Sequence, residues 1–419
     1  MAGVERVFSI FRRPWSVIAV ALALAACNTP VNVQPPAPAP APESGSGYRT
    51  GLGTRDASRH MAAAANPLAA EAGREMLRQG GSAIDAAIAM QAVLTLVEPQ
   101  SSGIGGGAFI MLWDGQDVHA YDGRETAPAG ATEQLLLKAD GTPMAFRDAQ
   151  IGGRSVATPG VLRALEMAHG KTGRLPWARL FEPAIRLSEQ GFAISPRLHM
   201  LIAGDRFIAQ SPDMAAYFLN PDGTPKATGT LLKNPALAAV FRRIAKEGPD
   251  ALHHGPIADE IARKVQGHAN AGSLSVADLN GYAAKERAPL CTDYKQWKVC
   301  GMPPPSSGGI AVAQILGLLQ ALEARDPRLA IAPMTPVKSA SPAGLEPTPE
   351  AVHLLAEAGR LAFADRALYL ADPDFTPVPV AGLVAPDYLA QRATLIGERS
   401  MGIAKPGQPN GIQVAYAPD

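Results

Sequence analysis

The chain has 419 residues, long enough for a large core or more than one average domain. Its 38 Lys and Arg balance its 38 Asp and Glu, and this neutrality argues against nucleic acid or an anionic surface as the main partner. Hydrophobic residues make up 47% of the chain, while 41 Gly and 38 Pro call for many turns between elements.

Residues 1–26 read as a targeting segment, outside the fold. Arg6, Arg12 and Arg13 precede the apolar stretch Trp15–Ala26, which is too short to span a membrane comfortably. Leu24-Ala25-Ala26-Cys27 resembles the bacterial lipobox, in which cleavage precedes the cysteine and its thiol carries the lipid. The alternative is an ordinary signal peptide with Cys27 incidental. Asn28 after the cysteine favours the outer membrane over the inner one. Residues 27–48 then form a Pro/Ala-rich linker, ending in Ser44-Gly45-Ser46-Gly47. The expected protein is periplasmic and lipid-anchored, with residues 49–419 as its folded domain.

His60–Gly80 has helical character, with Asn66-Pro67 as a cap and first-turn pair and Gly80-Gly81 as a stop. Ser82 caps Ala83–Leu96, a helix so apolar that it must be buried, expected against a sheet. Ala108–Trp113 and Asp117–Tyr121 read as a hairpin around Asp114-Gly115. Further helices are expected over Val161–His169, Trp177–Gln190, Pro235–Glu247, Ile257–Gly267, Ile310–Leu322, Pro349–Leu370 and Tyr388–Glu398. The alternation of helices and short strands makes an α/β layered domain.

Cys291 and Cys300 flank a segment with the look of a hairpin around Asp293-Tyr294-Lys295. In an oxidising compartment such a pair can form a disulfide; two buried reduced thiols are the other reading. No histidine pair at ligand spacing accompanies them, so no metal site is expected. Met302-Pro303-Pro304-Pro305-Ser306-Ser307-Gly308-Gly309 then reads as a stiff, extended approach to a buried helix.

Several chemical signatures fail on context. Gly103-Ile104-Gly105-Gly106-Gly107-Ala108 matches a dinucleotide fingerprint, but a helix precedes it and a strand follows, the reverse of what that fingerprint needs. Gly170-Lys171-Thr172 lacks the earlier glycine of a phosphate loop, since Leu165 stands there. No Gly-x-Ser-x-Gly elbow occurs. The adjacent His253-His254 look like surface or turn residues.

Arg124 is different. It follows a strand in Asp122-Gly123-Arg124-Glu125-Thr126-Ala127-Pro128, at a strand end where site residues concentrate. A guanidinium there can grip a carboxylate through parallel hydrogen bonds, or can form a structural pair with Asp122 or Glu125.

The motifs in order are Gly80-Gly81-Ser82-Ala83-Ile84-Asp85-Ala86-Ala87, Glu98-Pro99-Gln100 with Gly105-Gly106-Gly107, Arg124-Glu125-Thr126-Ala127-Pro128 and Thr158-Pro159-Gly160. After them come the proline segment and Ala364-Asp365-Arg366 with Asp372-Pro373-Asp374-Phe375. In this order the chain resembles the large subunit of γ-glutamyltransferases (glutathione hydrolases) over essentially its whole body.

The resemblance implies an α/β N-terminal-nucleophile hydrolase, an αββα sandwich of two sheets between helical layers. It implies a precursor that cuts itself into a large and a small subunit. The new N-terminal threonine of the small subunit is the nucleophile, with its own α-amine as base. That threonine attacks the γ-glutamyl carbonyl of glutathione, and the acyl group passes to water or to an amino acid or peptide acceptor, with no cofactor. Arg124 matches the arginine that holds the donor's α-carboxylate.

Every histidine here follows a residue other than Thr or Ser, so the Thr-Thr-His or Thr-Ser-His nucleophile is expected after residue 419, with no catalytic residue in this chain itself. Residues 49–419 alone are expected to be inactive and to expose apolar surface that the small subunit covers. Two rivals are cephalosporin or glutaryl acylases, which resemble the same subunit, and a catalytically inactive periplasmic binding lipoprotein. The Arg124 context favours a γ-glutamyl donor over the acylase substrates.

Overall fold

Local capping sets the first two helices. The Asn66 side chain accepts from the Leu68 amide at the start of α1 (Pro67–Arg78), and Pro67 sits in the first turn, where its missing N–H costs nothing. The helix therefore begins at Pro67 rather than at His60. Ser82 and Asp85 form a reciprocal capping box that opens α2 (Ala83–Val97). The computed structural model describes residues 56–331, 335–336 and 345–411, all within a unit that begins at Gly45. The expected signal segment, Cys27 and the linker lie outside the described residues.

α2 is apolar all round because helices enclose it. Its main neighbours are α1, α3 (Val161–Thr172), the tight turn Trp177–Phe181 and α4 (Glu182–Gln190), rather than the expected sheet. The single helix expected over 177–190 is broken because Pro183 starts a new helix in its first turn. The short helices Pro196–Gly204 and Pro212–Phe218, each begun by a proline, were not legible in the periodicity.

The sheet is built from β1 (Ala108–Trp113), β2 (Val118–Gly123) and β3 (Lys285–Arg287), all antiparallel with β2 central. The hairpin turn is closed by Asp114, whose Oδ1 accepts from the amides of Gln116 and Asp117 at 2.8 Å each. β2 runs two residues past Tyr121, to Gly123, and α3 packs over it. Ile84, Ile88, Tyr121, Leu162, Phe181 and Phe241 belong to the first core, with α5 (Pro235–Glu247) on its flank. α6 (Pro256–Gln266) helps form a small satellite cluster around Val265 and Leu279.

A second core lies among α7 (Gly308–Arg325), α8 (Pro349–Tyr369) and α9 (Pro386–Ala393). Before it comes the hairpin of β4 (Leu290–Tyr294) and β5 (Trp297–Gly301), whose turn is Lys295–Gln296 with Lys295 at φ 54°. Cys291 and Cys300 face each other across this pair and are joined as a disulfide, their Cα atoms 4.0 Å apart. The proline segment does not approach α7 as an extended strut. It folds back, with Ser306 N donating to Pro303 O, until Gly309 meets Gly301 and the Met302 carbonyl. A Cβ on Gly309 would stand 2.3 Å from the Met302 oxygen, so this close approach demands glycine.

Asp365 of the Ala-Asp-Arg motif organises the second core. It is 2% exposed. Its Oδ2 accepts from Gln314 Nε2 at 3.0 Å and Tyr388 OH at 2.7 Å, and its Oδ1 from an Arg392 N–H at 3.0 Å and Gly407 N at 2.8 Å. These donors come from α7, α9 and the segment beyond, so one carboxylate ties them to α8. The outer face of α8 is unlike a solvent face: Val352, Leu355 and Phe363 are each more than half exposed, at helical spacing around Gly359.

Asp365→Ala leaves the buried Arg392 without its charge partner. It is expected to cost about 3–5 kcal/mol, read as a lowered denaturant midpoint.

Candidate functional site

β2 ends by delivering Asp122, Gly123 and Arg124 to the edge of the first core. Gly123 presses against the start of α3, where a Cβ would stand 2.6 Å from Ala164 Cβ. The next residue, Arg124, has a side chain that is 61% exposed. Its main chain is held on both sides. Arg124 N donates to Asp122 Oδ1 at 2.9 Å, and Arg124 O accepts from Tyr282 OH at 2.7 Å.

Motifs far apart in sequence meet here. The Gly106 carbonyl accepts from the amides of Gly160 and Val161 at 3.0 and 3.1 Å. Thr126 and Thr158 exchange backbone hydrogen bonds at 3.3 and 2.9 Å. A Cβ on Gly107 would lie 2.4 Å from Glu125 Oε2, so the glycine run makes room for a carboxylate of the chain itself and not for a nucleotide. Pro305, Asp372 and Asp374 line the same small cleft as Arg124, Glu125 and Tyr282.

Arg124 pairs with Glu125, Nη1 to Oε2 at 2.7 Å. It does not pair with the carboxylate of Asp122, which is buried and turned to Arg287. Arg287 Nε donates to Asp122 Oδ2 at 2.7 Å, and its two terminal nitrogens fork onto Asp374 at 3.2 and 2.6 Å. Lys285 adds a bond to Asp374 at 2.6 Å. These partners hold the Asp374 carboxyl well below the usual carboxylate range, Arg287 before Lys285 in weight, and Asp374 with Asp122 raises the Arg287 guanidinium further.

Tyr282 is packed against His253, ring centroids 5.8 Å apart. Burial, then the negative charge of Asp122 and Glu125, pushes its hydroxyl up, so it stays a hydrogen-bond donor at any working pH. His253 is fully buried, with Nδ1 2.9 Å from Leu279 O. It is a core histidine and not the surface residue expected; only His254 faces solvent. Tyr282, Lys285 and Arg287 escaped the sequence reading. The one available signal was Lys285-Glu286-Arg287, in which a period of two places both cations on one strand face.

The chain as a whole is similar to known proteins. The family model described as Gamma-glutamyltranspeptidase matches residues 69–416. The chain belongs to the gamma-glutamyltranspeptidase family. A glutathione hydrolase proenzyme of Bacillus subtilis (strain 168) is 38% identical over 340 residues, which are 80% of this chain and 54% of that protein. Acylase ACY 1 proenzyme of Pseudomonas sp. (strain SE83) is 39% identical over 349 residues, 81% of this chain and 58% of that protein. The chain thus spans little more than half the length of these relatives. The crystal structure of Helicobacter pylori gamma-glutamyltranspeptidase superposes with TM-score 0.75 at 28% identity, covering 87% of this chain and all of that chain. The α/β N-terminal-nucleophile-hydrolase class expected from the family motifs therefore holds.

Two histidines near this sheet respond to pH with opposite sign. Burial lowers His253, with Arg163 and His254 adding to the shift and Asp250 and the Leu279 carbonyl opposing it. The unfolded chain takes up a proton near pH 6.5 and the fold does not, so this contribution is present above about pH 6.5 and is lost as pH falls. His119 is raised by Asp114 and then Glu286, so its contribution is complete below about pH 6.5 and is lost as pH rises through its elevated value. Denaturant midpoints at pH 5.5 and 8 should show His253→Gln flattening the acid loss and His119→Gln flattening the alkaline one.

Proposed function

We propose that this chain is the large-subunit part of a γ-glutamyltransferase/glutathione hydrolase. The enzyme cleaves the γ-glutamyl bond of glutathione and related donors and passes the acyl group to water or to an amino acid or peptide. The observation that carries this reading is Arg124: an exposed guanidinium, its backbone clamped on both sides, at the point where the family motifs converge. Its role is to hold the donor's α-carboxylate through parallel hydrogen bonds. Its present partner Glu125 is adjacent and 26% exposed against 61% for Arg124, and pairs that reach solvent are worth about 0–1 kcal/mol, so a substrate carboxylate displaces or shares that contact at small cost.

The chemistry rests on a threonine of a small subunit from the same precursor. Its oxygen attacks the γ-carbonyl, its α-amine takes the proton and returns it to the departing amine, and the ester is then opened by water or an acceptor amine. The exposed apolar face of α8 supports the presence of such a partner.

The acylase reading keeps specific support in relatives such as Acylase ACY 1 proenzyme, 39% identical. The product of the complete open reading frame should separate the two by its turnover of glutathione against a glutaryl-cephalosporin. Arg124→Ala should lower kcat/KM for a γ-glutamyl anilide by about 10- to 100-fold, mainly through KM, the worth of charge-assisted hydrogen bonds. Arg124→Lys, which keeps charge and loses the fork, should fall between. Faster turnover of the glutaryl substrate, or an unchanged KM in Arg124→Ala, would sink the γ-glutamyl reading.

We propose also that the protein is a periplasmic lipoprotein anchored through Cys27, on the strength of Leu24-Ala25-Ala26-Cys27 and the linker after it. Cells fed a labelled fatty acid should label the wild-type protein in the outer-membrane fraction and not Cys27→Ala. Equal labelling would overturn the anchor.

A further inference from the structure

The turn Asp372–Thr376 lies far in sequence from β2, yet a continuous chain of charge-assisted bonds joins them. Within the turn, Asp372 Oδ1 accepts from Asp374 N at 3.0 Å, and its carbonyl accepts from Phe375 and Thr376 at 3.1 and 3.0 Å. Asp374 is thereby presented to Arg287, whose fork spans it and whose Nε reaches Asp122. The other oxygen of Asp122 takes the Arg124 amide. Arg287 is 15% and Asp122 6% exposed by side chain, so solvent screens their bond little. The Arg124 guanidinium pairs with Glu125, while its main chain is held by Asp122 and Tyr282.

We infer that Arg287 is a positioning residue for substrate. It couples the Asp372–Thr376 turn, through Asp122, to the backbone of Arg124 and so aims the guanidinium at the donor's α-carboxylate. Tyr282 completes the same clamp from the carbonyl side. The inference rests on the reading of Arg124 as the carboxylate receptor. A guanidinium is required at 287, because one planar group serves two carboxylates from different directions, and a lysine ammonium at that position gives up one of them.

The test uses the complete enzyme, a γ-glutamyl anilide as donor and glycylglycine as acceptor. Arg287→Lys should raise donor KM about fivefold while kcat and acceptor KM stay within about twofold. Tyr282→Phe, which keeps the ring against His253 and removes only the hydroxyl, should act in the same direction. In an Arg124→Ala background neither substitution should raise donor KM further, because residues acting through one group are not additive. Equal fold-changes with and without Arg124 would overturn the relay. So would a parallel loss in kcat, acceptor KM and melting temperature, which marks a structural role only. Failure of the underlying reading looks different: Arg124→Ala would then leave donor KM unchanged by itself.

Discussion

The Arg124 site depends on a single buried carboxylate having both oxygens occupied. Asp122 sits at the end of a central strand, where an unpartnered charge costs several kcal/mol. The fold meets that cost from two directions, a backbone N–H two residues on and a guanidinium from β3. Because the two donors must converge on one group, the strand end, β3 and the turn after α8 are held in a fixed relation. That relation fixes the backbone of Arg124, whose guanidinium then pairs only with its neighbour Glu125 among the described residues.

The same device recurs at three other acids of the family motifs. Asp85 accepts from the amides of Ser82, Arg174 and Leu175, joining the start of α2 to the loop after α3. Glu98 accepts from Asn66, Gln100 and Arg197, tying the end of α2 to the cap of α1. Asp365 gathers α7, α9 and the following segment onto α8. These acids are structural: each is buried and accepts hydrogen bonds from more than one segment of the chain. Arg124 is the contrast, exposed and clamped by its backbone while its charge is free to change partners. Among the charged residues of these motifs, burial separates Asp85, Glu98 and Asp365, which hold the fold, from Arg124, the exposed one proposed to meet a ligand.

The cleft beside Arg124 is electrostatically balanced. Asp374 is neutralised by Arg287 and Lys285, and Asp122 by Arg287, so the cations other than Arg124 are committed to the scaffold. The cleft therefore presents one guanidinium whose only partner among the described residues is its partly exposed neighbour Glu125. On the proposed reading, a substrate carboxylate would replace a contact that is itself partly open to solvent.

The sequence by itself determined the parts of this protein that are local. Asn66-Pro67, the Ser82/Asp85 box, the Asp114-Gly115 turn and the facing cysteines each act within a few residues, so their chemistry is written in adjacent letters. The ordered motifs also marked Arg124 and the family. What only the tertiary structure decided was the use of each motif. Asp122 and Arg287 are 165 positions apart, and nothing local says that they touch. The proline segment reads as extended because proline favours that backbone, yet the glycines at 301 and 309 let it double back on itself. His253 reads as a turn residue because of its neighbour His254, yet Tyr282 and Leu279 bury it. Long-range pairing and burial are properties of the packed chain, and no window of sequence contains both partners.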